Sequence, residues 1–142
     1  TIDEAKKAMR GYDSSFPGIK RYSNLLQARA QAGVPEVVTP AGRHLPMDRD
    51  RLYSATNYMV QSTSRDVLAN AILELEAAGL GDHLLLPIHD EVLAQAPIAE
   101  AAEVAQAIAE VMTVPFGDLT LTAEPEVYGA SWGHGYGATD GS

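Results

Sequence analysis

The chain has 142 residues, 46% of them hydrophobic, with no cysteine and a formal net charge of −9. That length suits one domain or one lobe of a larger one. It holds no disulfide or thiolate metal centre, no apolar run near the ~20 residues of a membrane span, and no basic-then-apolar signal pattern at Thr1-Ile2-Asp3-Glu4. All ten Lys and Arg lie between Lys6 and Arg65 beside six acidic residues, a net of +4, whereas residues 66–142 carry thirteen acidic residues and no Lys or Arg, a net of −13. Such a split suggests one region for anions and one for cations, or simply a solvated acidic half.

In chain order, Thr1-x-x-Glu4 has capping-box form and predicts a helix over about residues 2–12. Phe16-Pro17-Gly18 interrupts it. Pro17 fits the first turn of a second helix to about Ala32, with Gly33 as its stop. Residues 36–39 read as a short strand, Pro40-Ala41-Gly42 as a turn and residues 43–45 as the return. From about 50 to 78 the pattern is helical, with Val67, Leu68, Ala71, Ile72 and Leu75 on one stripe and Gly79 and Gly81 at its end. Residues 83–88 and 92–96 are apolar runs too short for helices, and the three residues between them predict a hairpin. Pro97 opens a helix to about Met112, with Ile98, Ala101, Ala105, Ile108 and Met112 inward. Residues 119–123 alternate as a last strand, and the Gly-rich stretch 133–142 reads as a flexible tail. The fold class is α+β: helices packed on a small antiparallel sheet with a central β-hairpin.

Three groups of residues bear chemistry. The first is Pro87-Ile88-His89-Asp90-Glu91-Val92-Leu93. A turn needs one Asp for its backbone hydrogen bonds, not two acids and a histidine. Hard divalent cations such as Mg²⁺ take oxygen ligands, commonly one or two carboxylates plus substrate phosphates, and a hairpin tip holds carboxylates rigidly. A polar turn closed by a His–Asp hydrogen bond is the competing reading. The second group is Asn57, Gln61 and Arg65, spaced by four and so on one face of an unbroken helix. Amide side chains can bond the acceptors that the DNA minor groove presents at every base pair; a solvated polar face is the competing reading. The third is the segment from Thr39 to Pro46, where Gly42 allows close backbone approach and Arg43 is placed to reach a phosphate, unless it is a turn with a surface arginine. His83 and His89, six apart, would share a strand face, a weak zinc signal without a third ligand.

The order of these groups is more specific than any one of them. A Gly-Arg-x-x-Pro turn at Gly42 to Pro46 comes first, then Asn57-x-x-x-Gln61 with Asp66 in a long helix. The His89-Asp90-Glu91 hairpin follows, then a helix, a final strand and Trp132. This series resembles the C-terminal segment of family A DNA polymerases, the bacterial DNA polymerase I type, in the form many actinobacteriophages carry. The likeness covers residues 2–132. It departs at Ser62, where the family usually has Gly, at Arg65, where it has a small residue, and at Tyr53, where it tends to carry Arg.

The resemblance implies that residues 1–32 are distal fingers helices, 33–132 the C-terminal palm portion and 133–142 the tail. Asp90 is then one of the two catalytic aspartates that bind Mg²⁺, and Glu91 its acidic neighbour with a lesser catalytic role. His89 contacts the primer end. Asn57 and Gln61 follow the primer–template minor groove, and Arg43 and Arg65 complete the DNA-binding set. The implied reaction is attack of a primer 3′-hydroxyl on the α-phosphate of a deoxynucleoside triphosphate, with two metal ions stabilising the attacking and departing oxygens. The family's other aspartate, in an Asp-Tyr-Ser type motif, does not occur in these 142 residues, nor does the nucleotide-binding helix with its Lys and Tyr.

The expectation is therefore a C-terminal portion of a DNA-directed DNA polymerase, inactive without the N-terminal portion. Its expected partners are primer–template DNA, deoxynucleoside triphosphates and that missing portion, with no membrane. Its expected setting is the cytoplasm, that of the host cell for a phage-encoded chain. Uncovered apolar patches and sheet edges add self-association to the expectations. Two other classes stay open: a non-catalytic DNA-binding or protein-docking module derived from a polymerase palm, and a stand-alone metal-dependent hydrolase using Asp90, Glu91 and His89.

Overall fold

Asp66 closes the first of two compact units into which the chain divides, and it stands one residue after the last arginine. The structure, a computed structural model, describes residues 1–129 and 131–137.

The first unit begins with α1 (Ile2–Ser15) and α2 (Pro17–Ala32). The capping box forms as its sequence requires: Thr1 Oγ1 accepts the Glu4 N–H at 3.4 Å, and the Glu4 carboxylate accepts from the Thr1 ammonium at 2.6 Å. Helix α1 runs three residues past the expected end, because only Pro17 stops it; no residue of α1 is buried. Helix α2 starts on Pro17 and ends at Gly33, where the local signals placed it. Strands β1 (Glu36–Val38) and β2 (His44–Pro46) then pair antiparallel. A 3₁₀ turn at Arg49–Ser54 leads into α3 (Ala55–Ala77). The unit's core is Leu26 of α2, Val37 of β1, Met47 and Ala55, with Leu45, Leu52 and Met59 packed around them. Each large side chain of that group contributes about 1.5–3 kcal/mol on burial, and together they hold the β1–β2 hairpin beside α2.

The second unit takes the rest of α3, where Leu68, Ala71 and Leu75 of the expected stripe are buried. The helix stops at Gly79, whose φ of 77° is the left-handed conformation a helix end uses. The Leu80 N–H bonds the Leu75 carbonyl at 2.9 Å and the Gly79 N–H bonds that of Glu76 at 3.0 Å, so the last carbonyls are satisfied. A 3₁₀ turn (Gly81–His83) precedes β3 (Leu84–Ile88) and β4 (Glu91–Ala94), the central hairpin. Helix α4 (Ala101–Met112) buries Ile108 and Ala109. It begins four residues later than expected: Pro97 starts a turn instead, closed by the Glu100 N–H onto its carbonyl at 2.9 Å. Ile98, expected inward, therefore lies before the helix and is 98% exposed. Strands β5 (Val114–Phe116) and β6 (Leu119–Leu121) form a hairpin of which only the second strand was expected.

The chain is α+β, and its antiparallel sheet takes the form of three separate two-stranded hairpins. Of the stretch 133–142 read as a tail, residues 133–136 belong to a 3₁₀ helix (Trp132–Tyr136), and residues 138–142 lie outside the described residues. Among the described residues no helix is long and apolar enough to cross a membrane.

Candidate functional site

The β3–β4 hairpin presents its acids at a tighter turn than the sequence suggested. Ile88 pairs with Glu91, so His89 and Asp90 alone make the turn and Glu91 is the first residue of β4. His89 carries the turn at φ 55°, the one non-glycine residue in the left-handed region among those described. A Cβ there costs roughly 1–2 kcal/mol, although histidine is among the residues that tolerate it. A glycine would form the turn more easily, so the strained histidine points to a role for its ring. All three tip residues are exposed. Among the described residues none of their side chains makes a hydrogen bond or ion pair; the His–Asp bond of a plain polar turn is absent.

Two exposed carboxylates with unused oxygens suit a hard cation that also takes phosphate oxygens. They do not form a closed cage: among the described residues no three His, Asp or Glu side chains gather to hold a metal ion. The hairpin thus fits part of a Mg²⁺ site and not a whole one. The zinc reading of His83 and His89 fails on the backbone. His83 ends the Gly81–His83 turn and His89 lies in the hairpin turn at φ 55°, so neither belongs to the strand whose face they were expected to share. His83 Nδ1 is instead within 3.0 Å of the Gln95 carbonyl.

The tip has a neighbour that no motif announced. The Tyr128 hydroxyl donates to the Glu126 carboxylate. That bond, then desolvation and then the charges of Glu126, Tyr136 and Glu91 push the phenol up to about 12. Glu91 therefore lies within electrostatic reach of the C-terminal segment. The only local signal was the i, i+2 spacing of Glu126 and Tyr128, which puts two side chains on one side of an extended chain.

In the first unit, Asn57, Gln61 and Arg65 fall on one strip of α3, which is unbroken over its whole length. All three are exposed, and none spends its side chain on a hydrogen bond or ion pair with a described residue. Arg43 is different. Its Nε–H donates to Asp66 Oδ1 at 2.7 Å and its Nη2 donates to the Ser62 carbonyl at 2.7 Å. The guanidinium expected to reach for a phosphate is turned onto α3. Thr39, only 4% exposed, donates its hydroxyl to Asp66 Oδ2 at 2.6 Å and accepts the Arg43 N–H at 3.2 Å. These bonds, the Thr39 bond first, and the charges of Arg43 and Arg65 hold the Asp66 carboxyl below the usual carboxylate range against an opposing desolvation. Gly42 makes the turn possible through its φ of 84°, and nothing in the described chain lies within 4 Å of where a Cβ would sit.

Residues 1–134 match the model of DNA polymerase family A. The chain belongs to that family. The DNA polymerase of Mycobacterium phage D29 is 44% identical over 138 residues, which is 97% of this chain and 23% of that relative. That of Mycobacterium phage L5 is 41% identical over the same shares. DNA polymerase I of Bacillus caldotenax is 30% identical over 145 residues, 91% of this chain and 16% of that relative. The chain thus spans under a quarter of the length of these family A relatives, and the order of motifs read from its sequence led to the family the comparisons show.

Proposed function

We propose that this chain supplies part of the active centre of a template-directed DNA polymerase. The observation that carries the reading is the hairpin tip: two carboxylates that bond no described residue, beside a strained histidine, in a chain of family A. Asp90 would hold a catalytic Mg²⁺ ion, with Glu91 beside it in a lesser role. When bound, divalent ions would stabilise the charge on the attacking and departing oxygens. The chain's own part is to fix Asp90 on a two-residue turn, so that little reorganisation is needed when substrate phosphates arrive. His89, held in the left-handed conformation, directs its ring to the primer end. Asn57 and Gln61 lay amide groups along the primer–template minor groove, where their bonds do not depend on base identity. Arg65, on the same strip, adds a positive charge for the backbone.

One carboxylate pair without a third group does not complete such a centre. The reading therefore needs a further aspartate and a triphosphate-binding lysine from outside these 142 residues, and primer–template DNA and deoxynucleoside triphosphates as substrates. The two mycobacteriophage relatives, both DNA polymerases, support a site of action in the cytoplasm of a bacterial host.

The test is primer extension by the chain combined with the upstream portion of the polymerase, Mg²⁺, primed DNA and nucleotides. Asp90→Ala abolishes extension and Glu91→Ala reduces it less. Extension that survives Asp90→Ala would remove the foundation of the reading.

A further inference from the structure

Arg43, Thr39 and Asp66 form a closed ring of bonds that the proposed function leaves unused. Asp66 takes one donor on each oxygen, Thr39 on Oδ2 and Arg43 on Oδ1. Thr39 uses its hydroxyl in both directions, and its own N–H bonds the Arg43 carbonyl at 3.0 Å. The second arm of Arg43 caps the Ser62 carbonyl, the group that also accepts the Asp66 N–H within the helix. Ser62 and Asp66 each follow a residue of the exposed strip, Gln61 and Arg65. The planar fork of the guanidinium thus spans the one helical turn that carries both. Charge-assisted bonds of this kind are the stronger class, and a lysine has no fork with which to make two at once.

We infer that the Thr39–Arg43–Asp66 ring is a positioning clasp: it fixes the turn of α3 that presents Gln61 and Arg65, and Arg43 acts through Asp66 rather than on a DNA phosphate. The inference rests on the reading of the α3 strip as the minor-groove face. Hydrogen bonds to base edges tolerate little displacement, so a face that must meet every base pair alike needs a fixed helix turn. The lowered proton affinity of Asp66, held down first by the Thr39 bond, agrees with a carboxylate that stays charged in this role.

The test is primer–template affinity across a salt series, measured on the polymerase reconstituted with this chain. Arg43→Gln and Asp66→Asn each weaken binding about tenfold, the scale of one lost charge-assisted bond. The double variant is no weaker than either single one, because the ring is broken once. The slope of log affinity against log salt stays as in the wild type. Thr39→Ser, which keeps the hydroxyl, binds like the wild type and Thr39→Val does not, so the conclusion survives if an arginine variant folds poorly. In a Gln61→Ala background the Asp66→Asn loss shrinks, since the group it positions is gone; a role confined to stability would leave that loss unchanged.

Arg43→Gln that lowers the salt slope by about one, beside an Asp66→Asn that binds normally, makes Arg43 a phosphate contact and overturns the clasp. If Gln61→Ala also weakens binding in that case, the minor-groove reading stands without the clasp. Gln61→Ala that binds as the wild type does removes the minor-groove reading and the clasp with it.

Discussion

Two aspartates, one in each unit, stand in opposite circumstances. Asp66 has a donor on each oxygen, from Thr39 and Arg43, and its side chain is 16% exposed. Asp90 stands in the open at a hairpin tip and bonds no described residue. Their surroundings differ in the same sense. The unit around Asp66 holds all ten basic residues, and the one around Asp90 holds none. A carboxylate that the fold needs is satisfied by the fold. One that the fold leaves with unused oxygens, on a turn strained by a non-glycine residue, is available to something outside it. The excess of acid lies in the unit that carries the Asp90 hairpin, and the excess of base in the unit that carries the Asn57–Gln61–Arg65 strip.

The contrast can be broken first at Asp66. Asp66→Ala leaves the buried Thr39 hydroxyl without its acceptor and Arg43 without its ion pair. It should lower stability by about 2 kcal/mol, read as a urea midpoint with unchanged slope. Asp90→Ala in the same assay should stay within about 0.5 kcal/mol of the wild type.

Acid should act on the same carboxylate. The folded state holds Asp66 below its unfolded value, so between those two values the unfolded chain binds more protons and stability rises with pH. The contribution is fully present above the ordinary carboxylate value of about 3.9 and is lost as pH falls through the lower folded one. Unfolding followed from pH 6 to pH 2.5, about the range this requires, should show a loss in the wild type that Asp66→Asn shares less.

The smallest effect belongs to the other region. His89→Gly removes the penalty for a Cβ at φ 55°, against which glycine loosens the unfolded chain. Thermal unfolding should show no loss of stability and a gain of up to about 1 kcal/mol, while primer extension falls. A variant more stable and fully active would leave the strain at His89 without a function.

What could be read from the sequence depended on how local the cause was. Helix α2 begins and ends where Pro17 and Gly33 put it, because both act on their own backbone. The central hairpin was legible from breakers on either side of two short apolar runs. Strand β5 was not, because Pro115 at its centre argues against a strand; it is tolerated in a two-stranded hairpin, where a residue need not donate on both sides. Pro97 misled for the related reason that the same residue opens turns and helices alike. Asn57, Gln61 and Arg65 were found together because a four-residue spacing is close to one 3.6-residue turn of the helix they share. The partner of Arg43 lies 23 positions along the chain. No spacing rule reaches that far, so the sequence offered a phosphate contact or a surface arginine and gave no sign of the bonds to Asp66 and Ser62.

Primer extension by the reconstituted polymerase, run side by side on Asp90→Asn and Asp66→Asn with the melting temperature of each, tests the central claim most directly. The account predicts that Asp90→Asn melts like the wild type and loses at least about a thousandfold in rate, the scale of the charge stabilisation a catalytic metal ion supplies. Asp66→Asn melts lower and loses extension only as far as its weaker DNA binding requires. Asp90→Asn extending primers within about threefold of the wild-type rate, a difference under 1 kcal/mol, would contradict the account.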